Sequence, residues 1–461
     1  MGYIKLGIEF PVFLIFFALM LGAPVNMNFI IYRTCYVIMS YNETDCAKLG
    51  INTTDNATNE LEKEVEPIAN YINMTMDLVT LIIPCILCIF VGAWSDKKGR
   101  RPILILTLTG FALSNVIKVA VAAIPNLNPW FLFLQCIPTL LSGGLPTFIM
   151  ISFCYLIDIT NAQNRGLRLG IMEGILGLGM LAGTFLSAKI FALIGYTGVF
   201  IICTSLSILA LLITFCFLNE TVEIRQDEDC KFFSLHNLKE MSRTTFKKRQ
   251  GYNRLILLVC ICSIIFYVMA ENNSGTESLL LRSKFHWDLQ KLTTYSTIRS
   301  VIAIFGGFLG IFILHTVLRV PELPLIITAL LFCAVNTFMV AFAEYDWQIY
   351  VAVSLRIMSA VVSPMVRSLL SKIIPHAEIG QIFAFGISLE SLIAMTAGPM
   401  YTIIYTNSIN VFPGAFDLIP FSLHIINLLL FIFIVILKRT SNTIVYLDIR
   451  EDQAETPAPI N

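Results

Sequence analysis

The chain has 461 residues, of which 56% are hydrophobic and 13% are charged, and its 31 basic and 31 acidic residues balance to zero net charge. Soluble globular domains carry about 25% charged residues, so this composition excludes an ordinary soluble domain and indicates a chain embedded in lipid. The charges are confined to stretches between apolar blocks, and no nucleic-acid partner is expected.

Apolar runs long enough to cross a bilayer recur along the whole chain. A helix rises about 1.5 Å per residue and the hydrocarbon layer is about 30 Å thick, so one crossing needs roughly 20 apolar residues. The first run is too long for the core of a signal peptide and is interpreted as a helix. The runs predict an all-α polytopic membrane protein with twelve transmembrane helices: 7–32, 72–95, 102–125, 129–157, 167–193, 196–218, 254–276, 293–318, 322–343, 347–372, 380–406 and 412–437.

The charged stretches divide these helices into two sets of six. We expect an N-terminal half at 1–218 and a C-terminal half at 254–438, related by pseudo-symmetry. A cytoplasmic loop at 219–253 joins the halves, and a cytoplasmic tail follows at 439–461.

The distribution of basic residues predicts the orientation of the chain. Short cytoplasmic loops retain Lys and Arg, whereas external loops lack them. Basic residues follow the even-numbered helices, so both termini are predicted to be cytoplasmic. The intervening loops without Lys or Arg are 126–128, 194–195, 344–346 and 407–411.

One long segment, 33–71, is predicted to be an external loop and contains three acceptor triplets for N-linked sugars. They begin at Asn42, Asn52 and Asn56 and predict a glycosylated loop. The similar triplet at Asn219 falls on the cytoplasmic side and is expected to stay unmodified. Most of the twelve cysteines lie in apolar helices, where cysteine behaves as a small hydrophobic residue.

The most specific pattern lies between the second and third helices and reads GAWSDKKGRRP from residue 92 to 102. Gly99 permits a tight bend, Asp96 can engage a helix N-terminus or an Arg, and Arg100 can take a carboxylate. The alternative, basic residues that only mark a cytoplasmic loop, does not explain the spacing of the glycines and the aspartate. We therefore define a gating motif, which consists of Gly92, Asp96, Gly99, Arg100 and Arg101.

The gating motif resembles the signature loop of the major facilitator superfamily, whose two six-helix halves rock around a central site. The corresponding loop of the second half, which contains His315, Arg319, Pro321 and Glu322, lacks the pattern.

Further residues match one family of that superfamily. They are Met172-Glu173 in the fifth helix and, around the tenth, Ser363-Pro364, Arg367, Ser371, Lys372, Glu378 and Gly380. With the gating motif they resemble solute carrier family 46, the proton-coupled folate transporter family. The resemblance implies proton-driven uptake of small organic anions, such as folates, conjugated metabolites or wall fragments. The family's histidine in helix seven has no counterpart, and its helix-four aspartate falls on Gly144, which speaks against folate as the substrate.

Ionisable side chains inside the hydrocarbon layer are costly and are therefore functional candidates. A desolvated carboxyl at Glu173 is suited to accept and release a proton near neutral pH. The resemblance implies proton coupling for Glu173 and substrate and proton handling for Arg367. The alternatives are a structural hydrogen bond for Glu173 and a salt bridge from Arg367 to Glu173 or Glu390.

Three further residues are candidates for substrate binding without a motif to support them. Glu390 and Arg299 lie inside predicted helices. Glu271, followed by Asn272 and Asn273, either interrupts the seventh helix at a binding site or marks the external end of that helix.

Other ionisable residues are not expected to form a site. Asp77, Lys118 and Arg356 are interpreted as lying near helix ends or reaching toward the interface. The sequence has no nucleotide-binding Gly loop, HExxH motif or nucleophile elbow, so no enzyme activity is predicted. Neither a metal nor a cofactor is expected. Four histidines show no metal-ligand spacing: His236, His315, His376 and His424.

The sequence thus predicts a secondary active transporter that carries a small organic anion together with protons. The alternatives are a carrier or exchanger that works without protons and a transport-inactive scaffold or receptor. We expect a monomer whose partners are substrate, protons and lipid. Tyr446 and Ile449 in the tail form a tyrosine plus bulky-apolar pattern like endolysosomal sorting signals, so a sorting adaptor is a further expected partner. The plasma membrane and the lysosomal membrane are the expected locations.

Overall fold

Every regular element in the part of the chain that the structure describes is helical, as predicted. The computed structural model describes residues 7–47, 49, 56–161, 164–222, 243–249, 251–285, 287, 289–375, 378–408 and 411–441. The α-helices are α1 (Glu9–Arg33), α2 (Glu43–Cys46), α3 (Asn56–Lys98), α4 (Arg101–Ala123), α5 (Cys136–Leu141), α6 (Gly144–Asp158), α7 (Arg165–Phe217), α8 (Asn253–Glu271), α9 (Ser274–Phe285), α10 (Leu289–Gly310), α11 (Glu322–Ala341), α12 (Asp346–Ser354), α13 (Val362–Ile373), α14 (Ile379–Ser408) and α15 (Leu418–Ser441). Short 3-10 or π segments are Thr34–Ile38, Pro129–Gln135, Ile311–Val317, Leu355–Val361 and Pro413–Asp417.

Among the described residues, eleven helical segments are long and apolar enough to cross a membrane. One of them, α7, has 53 residues. A straight helix of that size would be about 80 Å long, far more than a bilayer can hold. Its helical conformation breaks at Gly195, where φ is 67° and ψ is −171°, a combination open essentially only to glycine. Helix α7 therefore makes two crossings, and the twelve transmembrane helices are confirmed.

Several predicted helices are interrupted inside the membrane segment. The fourth consists of the Pro129–Gln135 segment, α5 and α6, with positive φ at Gly143 and Gly144. The tenth consists of α12, the 3-10 segment Leu355–Val361 and α13. The seventh ends at Glu271 and resumes as α9 after two residues. Irregular backbone at this depth is tolerated only where protein or a cavity surrounds it, so these breaks point to places where polar groups are gathered.

The predicted external loop at 33–71 is partly helical, because α3 begins at Asn56. Val65, Ala69, Ile72 and Met76 are spaced four, three and four residues apart, which places them on one face of a helix. All four are buried and belong to the same apolar cluster as Cys35 and Cys46. Burial of this face stabilises the helix well beyond the membrane segment.

A disulfide joins Cys35, in the π segment after α1, to Cys46, the last residue of α2. Both residues lie in or beside the segment that the sequence predicts to be external. The bond closes a ring that contains Asn42, whose exposed side chain accepts a hydrogen bond from the main-chain nitrogen of Thr44.

The chain forms two compact units. Unit 1 comprises Met1–Ile159, Ile171–Leu238 and Phe383–Leu392, and unit 2 comprises Thr160–Gly170, Lys239–Ile382 and Ile393–Asn461.

Candidate functional site

The gating motif of unit 1 is built around the buried guanidinium of Arg100, which is 1% exposed. Its Nη2 lies 2.6 Å from Oδ1 of Asp96, and its Nε lies 3.1 Å from Oδ2 of Asp158. Its Nη1 donates to the hydroxyl of Ser95 at 2.6 Å. A guanidinium can make several such bonds at once because its donors are fixed in one plane, which a lysine ammonium cannot imitate.

Burial by itself would lower the pKa of Arg100. The negative charges of Asp96 and Asp158 outweigh burial, and the pKa of Arg100 lies above its ordinary value. The guanidinium therefore stays charged at any physiological pH.

Glu220, just beyond the end of α7, completes the motif from the other side. Its Oε1 accepts from the main-chain N–H of Arg100 at 2.7 Å, and its Oε2 accepts from that of Arg101 at 3.1 Å. These N–H groups lie at the start of α4 and would otherwise lack partners, and a carboxylate there also opposes the positive end of the helix dipole. Gly99 has φ +105°, and a Cβ there would lie 2.5 Å from Oε2 of Glu220.

Unit 2 has a different ionic cluster at the corresponding place, although its sequence lacks the motif. Glu322, in the first turn of α11, pairs with Lys372 in the last turn of α13. The hydroxyl of Ser368 donates to the same carboxylate at 3.3 Å, and Nε2 of His315 lies 4.0 Å from it. In both units, therefore, an ion pair joins the start of one helix to the end of another. The pair is Arg100 with Asp158 in unit 1 and Glu322 with Lys372 in unit 2.

A second ion cluster of unit 2 holds Glu378 just before α14. Lys247 and Arg249 both pair with its carboxylate, with Nη2 of Arg249 at 2.8 Å. These cations come from the charged stretch that the sequence placed between the halves.

The membrane part of unit 2 contains a network of charged side chains. Nη1 of Arg299 in α10 lies 2.5 Å from Oε2 of Glu277 in α9, and the side chains are 13% and 7% exposed. The hydroxyl of Tyr295 donates to the other oxygen of Glu277 at 2.5 Å. The carboxylate is thus satisfied on both oxygens and holds Arg299 in place.

A neighbouring pair joins the break after α8 to the break between α12 and α13. Glu271, the last residue of α8, pairs with Arg356 of the 3-10 segment. Arg299 is also close enough to Glu271 for electrostatic interaction. Beside them, Asn273 donates to Oδ1 of Asp417 at 2.7 Å. Arg356 therefore does not reach toward the interface as the sequence suggested, because an acidic partner holds it inside the protein.

The structure brings together two of the five predicted binding and coupling residues, Arg299 and Glu271, in unit 2. Helix α8 ends at Glu271, but the carboxylate pairs with Arg356 inside the protein instead of facing external water. Arg367 lies in α13 of the same unit, is buried, and donates from Nε to the hydroxyl of Ser363 at 3.1 Å. Glu173 and Glu390 lie in unit 1, and both are half-buried.

Sequence reasoning missed several partners that complete these arrangements. Asp158 and Glu220 lie at the ends of helices and carry no motif of their own. Glu277 and Asp417 were not among the candidates, although both pair with polar side chains inside unit 2. A sequence signal did exist for Glu277, since Glu277 and Arg299 are an acidic and a basic residue in consecutive membrane helices.

Comparisons with known proteins identify the superfamily of the chain. The family model of the Major Facilitator Superfamily matches residues 68–399. A relative from Drosophila melanogaster, the "Probable peptidoglycan muropeptide transporter SLC46", is 28% identical over 423 residues, which cover 88% of this chain and 81% of the relative. The "Proton-coupled folate transporter" of Bos taurus is 24% identical over 415 residues, which cover 88% of this chain and 87% of the relative.

A solved structure shows the same fold. The crystal structure of the human organic anion transporter MFSD10 (TETRAN) matches with a TM-score of 0.68 and 16% identity, over 92% of this chain and 97% of that one. The chain therefore belongs to the Major Facilitator Superfamily, and it is a membrane transporter rather than an enzyme. Within the superfamily it resembles solute carrier family 46.

Proposed function

We propose that this transporter carries a small organic anion together with protons. The observation that carries the proposal is the ion pair between Arg299 and Glu277 in the membrane part of unit 2. A membrane-embedded cation attracts an anionic solute. Arg299 can bind such a solute only when its ion pair with Glu277 is broken.

Charge balance explains why a proton must accompany the anion. Glu277 and Arg299 together are neutral, and an anion added to this pair would leave one uncompensated negative charge in a medium of low polarity. A proton on Glu277 removes that charge and frees Arg299 at the same time. The anion and the proton then enter together with no net change in buried charge, which makes their binding mutually dependent.

The remaining predicted residues take parts in the same proposal. Glu173 serves as a second proton-accepting group in unit 1, as the family resemblance implies. Within unit 2, Arg367 and Glu271 contribute to substrate binding with Arg299, and Glu390 is a binding residue of unit 1. The gating motif opens and closes during alternating access, with Arg100 exchanging its carboxylate partners.

The names of the relatives support a substrate class rather than one compound. The insect relative is a probable muropeptide transporter and the bovine relative is a folate transporter, and both kinds of solute carry carboxylates. Because the folate family's helix-seven histidine is missing here, we favour an anion of the wall-fragment or conjugated-metabolite class.

Transport in proteoliposomes tests the proposal. The purified full chain is reconstituted with a pH-sensitive dye inside, and uptake of a labelled muropeptide, a labelled steroid sulfate and labelled folate is measured with and without an inward proton gradient. We expect one anion to accumulate only with the gradient and to bring protons inside. Accumulation that ignores the gradient would indicate a carrier or exchanger without protons, and no uptake or counterflow of any probe would indicate a scaffold or receptor.

Substitutions then assign the coupling residues. Glu277→Gln keeps the shape of the side chain but cannot exchange a proton, so we expect gradient-driven accumulation to be lost while counterflow of the anion persists. Glu173→Gln is tested in the same way. Glu344→Gln, the same chemical change at an exposed residue, is the matched control and should behave like the parent. A Glu277→Gln protein that still accumulates substrate with the gradient contradicts the assigned role.

Location and modification complete the proposal. We place sugars on Asn42, Asn52 and Asn56, which makes the segment around Cys46 external. The tail signal at Tyr446 and Ile449, which lies outside the described residues, directs the protein to the lysosomal membrane through a sorting adaptor, and without that signal it stays at the plasma membrane.

A further inference from the structure

Three helices of unit 2 bring together three side chains that ligate transition metals. Glu271 ends α8, Cys333 lies in α11 and His424 lies in α15. One candidate ligand atom from each residue lies within 4.8 Å of those from the other two. Helix α15 packs against both α8 and α11, so the three positions are held by the helix packing of the unit.

His424 provides an independent observation that points to a ligand. Its side chain is 1% exposed, and within the described part of the chain neither ring nitrogen has a hydrogen-bond partner. A buried polar group without a partner is unfavourable, so native proteins rarely keep one without a reason. The ring centroid of Tyr267 lies 6.3 Å from that of the imidazole, with the two rings tilted by 55°. A metal bond to the imidazole would supply the missing partner.

We propose that Glu271, Cys333 and His424 bind one divalent transition-metal ion of the zinc class. A thiolate, an imidazole and a carboxylate are the ligand types that zinc takes, and three protein ligands leave a fourth position for water or a solute. In such a site the ligand atoms are about 3.5 Å apart, as follows from metal–ligand bonds of roughly 2.0–2.3 Å. Side-chain adjustments of about one ångström close the present distances to that geometry.

Charge and hydrogen bonding are compatible with the ion. Nη2 of Arg356 donates a hydrogen bond to Oε2 of Glu271, so the other carboxylate oxygen, Oε1, can bind the metal. Ligating carboxylates are commonly held in this way by a further hydrogen bond. Cys333 loses its proton to solvent on binding, and its thiolate offsets one charge of the ion. Arg356 already neutralises the carboxylate of Glu271, so the site keeps one net positive charge, which an anionic ligand in the fourth position would offset. Arg356 stays within electrostatic reach of Glu277 as well.

The ion would tie together α8, α11 and α15 beside the pair of Glu277 and Arg299. This role is independent of proton coupling, because the site is defined by its ligands and not by transport. This grouping could not be predicted from the sequence, because the three residues are separated by 62 and 91 positions and by whole helices. The expectation that the histidines bind no metal rested on spacing alone, which cannot reveal ligands from separate helices.

Metal binding to the purified full chain tests the proposal. The protein in detergent is stripped with a chelator, equilibrated with zinc chloride, separated from free metal and analysed for zinc. We expect one zinc ion per chain, and at least tenfold weaker binding in Cys333→Ser and in His424→Leu. Cys260→Ser, the same change at another buried cysteine of unit 2, and His315→Gln are the matched controls and should keep the parent affinity.

Cobalt gives a spectroscopic readout of the metal–thiolate bond itself. Cobalt bound to the parent chain should show the charge-transfer absorption of a cobalt–thiolate bond, and Cys333→Ser should remove that absorption while Cys260→Ser keeps it. Each variant is first checked for a single gel-filtration peak. A parent chain without the thiolate absorption, or equal zinc uptake by the parent and by the combined Cys333→Ser and His424→Leu variant, would overturn the proposal.

Discussion

The carboxylate of Glu220 lies 2.7 Å from the main-chain nitrogen of Arg100 at the start of α4, although 120 residues separate the two in the sequence. The gating motif is therefore a tertiary arrangement, with its acidic partners supplied by the ends of α6 and α7. Its function depends on residues that no reading of the loop alone would include.

Gly99→Ala is expected to destabilise the transporter. A Cβ at this position meets a carboxylate that is already bonded to the start of α4, and the positive φ is unfavourable for alanine. We expect a loss of about 1–3 kcal/mol, seen as a lower melting temperature of the purified full chain. Gly275→Ala is the matched control, because a Cβ there meets nothing within 4 Å in a helix. Equal melting temperatures for both variants would contradict the role of Gly99.

Removal of Arg299 alone is expected to harm folding more than removal of the whole pair. Arg299→Gln leaves the buried carboxylate of Glu277 without its cation, which costs about 3–5 kcal/mol. In the double variant Glu277→Gln with Arg299→Gln, no unpaired charge remains, so the melting temperature should recover toward that of the parent. A cycle of the four proteins measures the interaction directly. Additive effects of the two substitutions would show that the side chains do not interact.

Asn42 is expected to carry a sugar in the mature protein. Without glycosidase treatment, Asn42→Gln should run at a lower apparent mass than the parent by one sugar chain, and further changes at Asn52 and Asn56 should lower the apparent mass again. Glycosidase treatment should abolish these differences. Thr44→Ala is an informative partner, since it destroys the acceptor triplet but keeps the main-chain N–H that Asn42 accepts from. It should give the same mobility as Asn42→Gln. Asn219→Gln should change nothing, because that residue is predicted to face the cytoplasm.

The tail pattern is expected to determine location. Tyr446→Ala and Ile449→Ala should each shift a fluorescently tagged chain from lysosomes to the plasma membrane. Leu447→Ala changes a neighbouring bulky residue that the pattern does not use, and it should leave the distribution unaltered. A tagged Tyr446→Ala chain that remains in lysosomes would exclude this signal.

The sequence predicted the helical class and the number of crossings because hydrophobic length is a one-dimensional property. Bilayer thickness sets the length of each apolar run, so a run such as 412–437 can be recognised from the sequence alone. The extension of α3 beyond the membrane was missed, because the face formed by Val65, Ala69 and Ile72 lies among charged residues and gives no long apolar run.

Site residues could be predicted only where a charged side chain interrupts an apolar helix. Arg299 and Glu271 were recognised as candidates because charges are rare in membrane helices. Their partners depend on tertiary packing, so Glu277 and Arg356 could not be paired with them from one sequence. The same reason hid the grouping of Cys333 with His424, since each residue alone looks like an ordinary part of a helix.

The break at Gly195 decides more than the length of two helices. An even number of crossings returns a chain to the compartment in which it began, whereas an odd number leaves its two ends in different compartments. If α7 crossed only once, everything after it would be inverted, including the acidic and basic residues of unit 2. One residue without a side chain therefore fixes the sidedness of the entire C-terminal half.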